Sequence, residues 1–146
     1  MKNRVEVLHG VNFDVLDRRD PEQYGGMSLQ ELEVQIKRYA VDLDLGVTFF
    51  QSNFEGEFVE YLHRLPELAD AAIINAGAWT HYSYAIRDAL EIARVPVVEV
   101  HLSDVTSRED WRRHSVFEGL VLARVAGKGA DGYRDALERL SAELGV

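Results

Sequence analysis

Short apolar runs alternate with amphipathic stretches along the chain, and this alternation predicts an α/β fold built on a parallel sheet. Five runs read as strands, at residues 5–8, 47–50, 71–74, 95–101 and 120–125. All but the first are rich in β-branched or aliphatic residues over most of their length and are bounded by Gly, Asp or Pro. Ser28 and Glu31 form a capping-box pair, and Leu29, Leu32, Ile36 and Tyr39 then give one apolar helical stripe. A second helix is expected over about residues 57–65, stopped by Pro66. A third covers residues 83–93, a short one starts at Ser107 with its hydroxyl as cap, and the last lies near residues 131–144. Five strands and five helices in this order predict a flavodoxin-like doubly wound five-stranded parallel sheet, with ligands beyond the carboxyl ends of its strands. Residues 1–146 read as a single domain. The one long connection, residues 10–27, reads as a structureless loop of the length that is more often functional than idle.

Composition narrows the function. Hydrophobic content of 47% and charged content of 28% are ordinary globular values. No apolar run approaches the roughly 20 residues of a membrane helix. The residues after Met1 lack the apolar stretch of a secretory signal, so a cytoplasmic location is the expectation. The absence of cysteine excludes disulfides, thiolate metal sites and cysteine nucleophiles. A net charge of −9 makes duplex nucleic acid or an acidic membrane surface a poor partner. A small anionic substrate remains possible where Arg, His or backbone N–H groups are locally gathered.

Three expected strand ends carry amides or imidazoles: Asn12 after the first, Asn75 and His81 after the third, Glu99 and His101 in the fourth. Glu99 and His101, two apart on a strand, share a face, and a carboxylate beside an imidazole favours its acid form. The same pattern also fits a structural ion pair. In the long connection, Arg19 stands five residues from Tyr24 and could stabilise a phenolate, with Gly25 and Gly26 as a hinge; a solvated turn with a packing tyrosine is the alternative. His81 starts a helix with or without a ligand there. Arg108 and Arg112, four apart, share a side, so one could reach a ligand. The histidines show no metal-ligand spacing, and no G-x-G-x-x-G, Walker A or G-x-S-x-G sequence occurs; no metal or cofactor is expected.

Taken together, four blocks resemble the type II 3-dehydroquinate dehydratases. They are Gly10-Val11-Asn12 followed by Arg19-Asp20-Pro21-Glu22-Gln23-Tyr24-Gly25; Gln51-Ser52-Asn53-Phe54-Glu55-Gly56; Ile74-Asn75-Ala76-Gly77-Ala78-Trp79-Thr80-His81-Tyr82-Ser83; and Pro96 through Ser103. The match runs over about residues 5–140. The resemblance implies dehydration of 3-dehydroquinate to 3-dehydroshikimate by anti elimination through an enolate, in the shikimate pathway or in quinate breakdown. By the same resemblance Tyr24 is the base, Arg19 lowers its pKa within a mobile lid, and Asn12 holds a water against the enolate. His101 is the acid, oriented by Glu99. Asn75, His81 and Arg112 bind ring hydroxyls, and Leu102 and Ser103 hold the substrate carboxylate. Asp88 reaches a neighbouring subunit's site in a dodecamer built as a tetramer of trimers.

The chain departs from the family pattern at Val11, Phe13, Asp14, Asp17, Phe54, Ala76 and Trp79, and after Ser115. Asp14 and Asp17 add negative charge to the loop expected to meet an anionic substrate. These departures keep open a same-fold lyase acting on a related cyclic hydroxy-keto acid. A non-enzymatic module of the same fold is a further alternative, but the acidic cluster of a phospho-receiver and the Ser/Thr-rich phosphate loop of a flavin carrier are both missing after the first strand.

Overall fold

In the computed structural model, which describes residues 2–146, the sheet is formed by β1 (Arg4–His9), β2 (Gly46–Gln51), β3 (Ala71–Asn75), β4 (Val97–His101) and β5 (Ala123–Ala126). Every neighbouring pair is parallel and the order is β2-β1-β3-β4-β5, the flavodoxin-like arrangement expected. The helices are α1 (Pro21–Tyr24), α2 (Leu29–Asp42), α3 (Glu55–Leu68), α4 (Tyr84–Ala93) and α5 (Asp131–Leu144).

Alternating strand residues build two cores. Val5, Val7, Val98 and Val100 pack with Leu32 and Ile36 of α2 and with Leu137 and Leu140 of α5. Leu8, Ile74 and Val97 pack on the other face with Phe58 and Leu62 of α3 and Ile86 and Leu90 of α4. Each such side chain contributes about 1.5–3 kcal/mol when fully buried, which is why the helical stripes dock. A carboxylate of β1 enters this second face. Glu6 of β1 is buried and accepts hydrogen bonds from Thr48 and Tyr61, whose ring stacks on Phe50 at 3.7 Å. Burial, with the Glu6 carboxylate, pushes the Tyr61 phenol far above its ordinary value.

Helix starts follow local chemistry. Ser28 and Glu31 form the reciprocal capping box of α2, and Ser83 accepts from the Ile86 amide to cap α4. Five local expectations are corrected. Pro66 does not stop its helix: α3 continues to Leu68 and Ala69 N–H still bonds Leu65 O at 3.0 Å. A proline in the last turn removes a single intrahelical donor, and burial of Leu65 and Ala69 holds the rest. No helix starts at Ser107; that residue ends a 3₁₀ turn, Val105–Ser107, capped by Asp104, and a second turn spans Asp110–Arg112. β4 starts at Val97 because Pro96 has no N–H to donate, and β5 starts at Ala123 because Leu120 turns back onto Phe117 O. Residues 10–27 are largely ordered, with a 3₁₀ stretch at Phe13–Arg18 and then α1, whose Asp20 cap precedes Pro21 at the helix start.

β1 and β3 are the adjacent strands whose connections leave in opposite directions, and their ends come unusually close. A Cβ on Gly10 would lie 2.3 Å from Ala76 O, while Gly10 N–H donates to Asn75 O at 2.8 Å. Gly77, at φ +63°, is also close: a Cβ there would lie 2.9 Å from Val11 O. These contacts set the loops bearing Asn12 and Asn75 side by side. Gly10→Ala is therefore expected to destabilise the fold by at least about 2 kcal/mol, measured by denaturant unfolding.

Candidate active site

A cavity of about 130 Å³ opens at this switch point. It is lined by Asn12, Phe13, Leu16, Arg19, Tyr24, Asn75, Gly77, Ala78, His81, His101, Leu102, Ser103, Val105, Arg108 and Arg112. Three arginines and two histidines are present among these residues and no carboxylate. In a chain of net charge −9 that concentration of cations makes a local site for a small anion.

Asn12 follows β1 in the left-handed conformation, φ 73°, which Asn tolerates better than most residues. Its backbone N–H donates to Asn53 Oδ1 at 2.8 Å, and Asn53 Nδ2 donates to Asp14 Oδ2 at 3.0 Å. The carboxylate of Asp14 is thus engaged by Asn53, and Asp14 and Asp17 do not line the cavity. Phe54 beside them is exposed, whereas Trp79 is buried edge-on against Phe58.

Tyr24 carries the most unusual contact. Its oxygen accepts a hydrogen bond of 2.6 Å from Arg19 Nη2 and another of 2.6 Å from Arg108 Nη1. The Arg19 guanidinium also lies over the ring, 4.2 Å from its centroid. Two cationic donors on one phenol oxygen is the arrangement that a phenolate accepts. Arg108 further donates to Ser103 Oγ at 3.3 Å, tying the α1 segment to the end of β4. Sequence reasoning recognised Arg108 as a candidate through its i, i+4 spacing to Arg112 but carried only Arg112 forward; both reach the cavity.

Glu99 and His101 lie on one side of β4, as their spacing requires. Glu99 Oε2 is 2.5 Å from His101 Nε2, Glu99 Oε1 accepts from Ser115 Oγ at 2.8 Å, and Arg124 Nε is 3.2 Å from Oε2. Burial pushes the Glu99 carboxyl up, but His101, Ser115 and Arg124 outweigh it and hold the group below its ordinary value. With Glu99 held in its ionised form, the proton between the two is assigned to His101 Nε2, which leaves Nδ1 outside this contact. Neither Ser115 nor Arg124 was singled out from the sequence. No motif spacing links them to Glu99.

The remaining groups are fixed by their neighbours. Asn75 Nδ2 donates to the buried Tyr133 hydroxyl at 3.4 Å, and Asn75 Oδ1 accepts from Gly77 N–H at 3.3 Å. His81 Nδ1 donates to His114 O at 2.6 Å, so its Nε2 is an acceptor. Carbonyls of Leu102 and Ser103 accept from the amides of Gly129 and Gly127, which fixes that turn against the cavity. Glu99 lies behind His101 rather than in the lining, and Asp88 is exposed on α4, away from the cavity.

The family model described as "Dehydroquinase class II" matches residues 3–141. The chain belongs to this family. Among class II dehydroquinase relatives, a 3-dehydroquinate dehydratase of Syntrophotalea carbinolica is 47% identical over 131 residues, covering 89% of this chain and 88% of the relative. One from Pelotomaculum thermopropionicum is 44% identical and covers 98% of this chain and 99% of its own. The crystal structure of a type II dehydroquinase from Propionibacterium acnes superposes with a TM-score of 0.91 at 35% identity, covering 97% of this chain and 98% of the other.

Burial, followed by the charges of His101, Arg112 and Arg124, lowers the His81 pKa against the raising effect of the His114 carbonyl. A proton therefore binds His81 more readily in the unfolded chain. Its contribution to stability is present above the ordinary imidazole range, near pH 6.5, and declines as pH falls through and below it. An NMR titration is expected to place the His81 midpoint below about 6.5; a midpoint at or above that value would contradict the neutral acceptor assigned here.

Proposed function

We propose that the chain dehydrates 3-dehydroquinate to 3-dehydroshikimate by anti elimination through an enolate, with no metal or cofactor. The observation that carries this reading is a doubly cation-bound tyrosine oxygen and a carboxylate-backed imidazole lining one small cationic cavity. Relatives at 42–47% identity named 3-dehydroquinate dehydratase support the same substrate rather than a different hydroxy-keto acid.

In this reading Tyr24 acts as the phenolate, stabilised by Arg19 and Arg108, and takes the proton next to the ketone. The electron pair moves into an enolate, against which Asn12 holds a water. Collapse of the enolate breaks the carbon–oxygen bond, and His101 gives its Nδ1 proton to the departing hydroxyl, which leaves as water. A proton returned from Tyr24 to His101 restores both groups. Glu99 orients the imidazole from the other ring nitrogen. Asn75, His81 and Arg112 take ring hydroxyls, and Leu102 and Ser103 take the carboxylate. His81 Nε2, as a neutral acceptor, suits a hydroxyl donor.

We place this activity in a single-domain, cytoplasmic protein that assembles as a dodecamer, a tetramer of trimers, with Asp88 reaching a neighbour's site. Asp88 lies on the outer face of α4, and Tyr84 and Ile92, one turn to either side, are both exposed, which supports a subunit contact there. No helix among the described residues is long and apolar enough to cross a membrane.

Turnover is read from the ultraviolet absorbance of the enone product. Tyr24→Phe is expected to lose at least about 100-fold in kcat with folding and assembly intact, and His101→Ala to lose a similar factor. Wild-type activity in Tyr24→Phe would remove it as the base. A folded wild-type protein that leaves 3-dehydroquinate unchanged would overturn the substrate assignment.

A further inference from the structure

Arg124 is a charged side chain that the proposed reaction does not use and that touches two parts of the site. It projects from β5, with its side chain 29% exposed. Its Nε lies 3.2 Å from Glu99 Oε2, the same oxygen that meets His101 Nε2. Its Nη1 donates to Arg113 O at 3.0 Å and its Nη2 to Arg112 O at 3.5 Å. One guanidinium therefore spans the carboxylate behind the imidazole and the backbone of the turn that carries Arg112 into the cavity. A second cavity, of about 340 Å³, is lined in part by Arg124 and Glu99 and not by His101.

We propose that Arg124 is a positioning residue with two separable effects: it limits how strongly Glu99 holds the proton on His101, and it fixes the Arg112 turn at ligand-binding height. This rests on the reading of His101 as the acid and Arg112 as a substrate contact.

The first effect follows from charge. A carboxylate shared between an imidazolium and a guanidinium stabilises the imidazolium less than one it holds alone, and the nearby cation opposes it directly. The acid is thereby kept ready to release its proton to the leaving hydroxyl. Among the other groups, Arg19, Tyr24, Arg108 and Arg112 line the cavity together with His101. His81 from the 3₁₀ turn after β3 stacks 6.3 Å from the His101 ring, and Arg112 is held by Glu109 at 3.0 Å. Arg113 and Glu118 share the second cavity with Glu99, and Arg113 is offset by Asp110 at 3.9 Å. None of these charges is in an ion pair with Glu99; Arg124 is.

The second effect follows from geometry. The Asp110–Arg112 turn is only three residues long, and this guanidinium donates from β5 to the carbonyl of its last residue, Arg112, and to that of Arg113 just beyond it. A lysine has one nitrogen and no planar fork, so it can keep the charge beside Glu99 but cannot reach both carbonyls as well.

The test compares wild type, Arg124→Gln and Arg124→Lys by NMR titration of the His101 imidazole and by the pH profile and KM for 3-dehydroquinate. In Arg124→Gln the His101 midpoint, and with it the basic limb of the kcat profile, is expected to move up by about half a unit or more. KM is expected to rise about tenfold through the loosened Arg112 turn. Arg124→Lys is expected to restore the midpoint while leaving KM raised. An Arg124→Gln protein with a lowered melting temperature but an unmoved His101 midpoint and unchanged KM would overturn the proposal, because a merely structural arginine predicts that result. Should the glutamine variant not fold, the lysine variant decides: a raised KM with an unmoved midpoint supports the proposal, and wild-type KM overturns it. The titration needs no turnover, so an inactive wild type would reject the proposed reaction while the midpoint still reported on the link from Arg124 to His101.

Discussion

Two guanidinium groups would repel each other at the distance that separates Arg19 from Arg108, and the oxygen of Tyr24 is what lets them meet. Each donates to that oxygen at 2.6 Å. Arg19 precedes α1 and Tyr24 ends it, while Arg108 lies between two 3₁₀ turns after β4. The contact therefore closes the segment after β1 over the end of β4, and it does so with charge rather than apolar packing. Half-buried positions strengthen such charge-assisted bonds beyond their worth at an open surface. Loss of either cation removes one of the two bonds on this oxygen, so this part of the cavity depends on one arrangement.

The rest of the site is a set of supports for two ionisable groups. Glu99 is buried at the end of β4 and survives there because three partners satisfy it. It fixes the ring of His101 from behind and leaves the other nitrogen facing the ligand. The side chain of Asn75 is held by Tyr133 and Gly77, and the backbone of Asn12 by Asn53, so these parts of the cavity wall are fixed before any ligand arrives. The overall acidity of the chain is kept off this cavity. Asp14, which would otherwise face an anion, is engaged by Asn53, and Glu109 pairs with Arg112 from outside the lining.

Arg124 extends this scheme to β5. One guanidinium there touches both the carboxylate behind His101 and the backbone beside Arg112. The fifth strand thereby touches the supports of the cavity, although it contributes no residue to the cavity's lining.

Strand periodicity, capping pairs and the order of elements determine the doubly wound sheet from the sequence alone, because each depends on residues a few positions apart. The α2 capping box and the α5 boundaries are local in this sense, and so is the shared face of Glu99 and His101. The resemblance of four blocks likewise points to Tyr24, Asn12 and His81 before any coordinates are seen. Other features depend on the folded chain. Pro66 stays inside α3 because buried neighbours outweigh one missing hydrogen bond, and residues 10–27 order because Phe13 and Leu16 find a core to enter. Arg108 reaches Tyr24 across 84 positions, and Arg124 reaches Glu99 from the adjacent strand. No periodicity encodes such meetings. They arise where the splayed ends of parallel strands bring distant backbone together, and only there does the low-dielectric setting decide which charges share a proton.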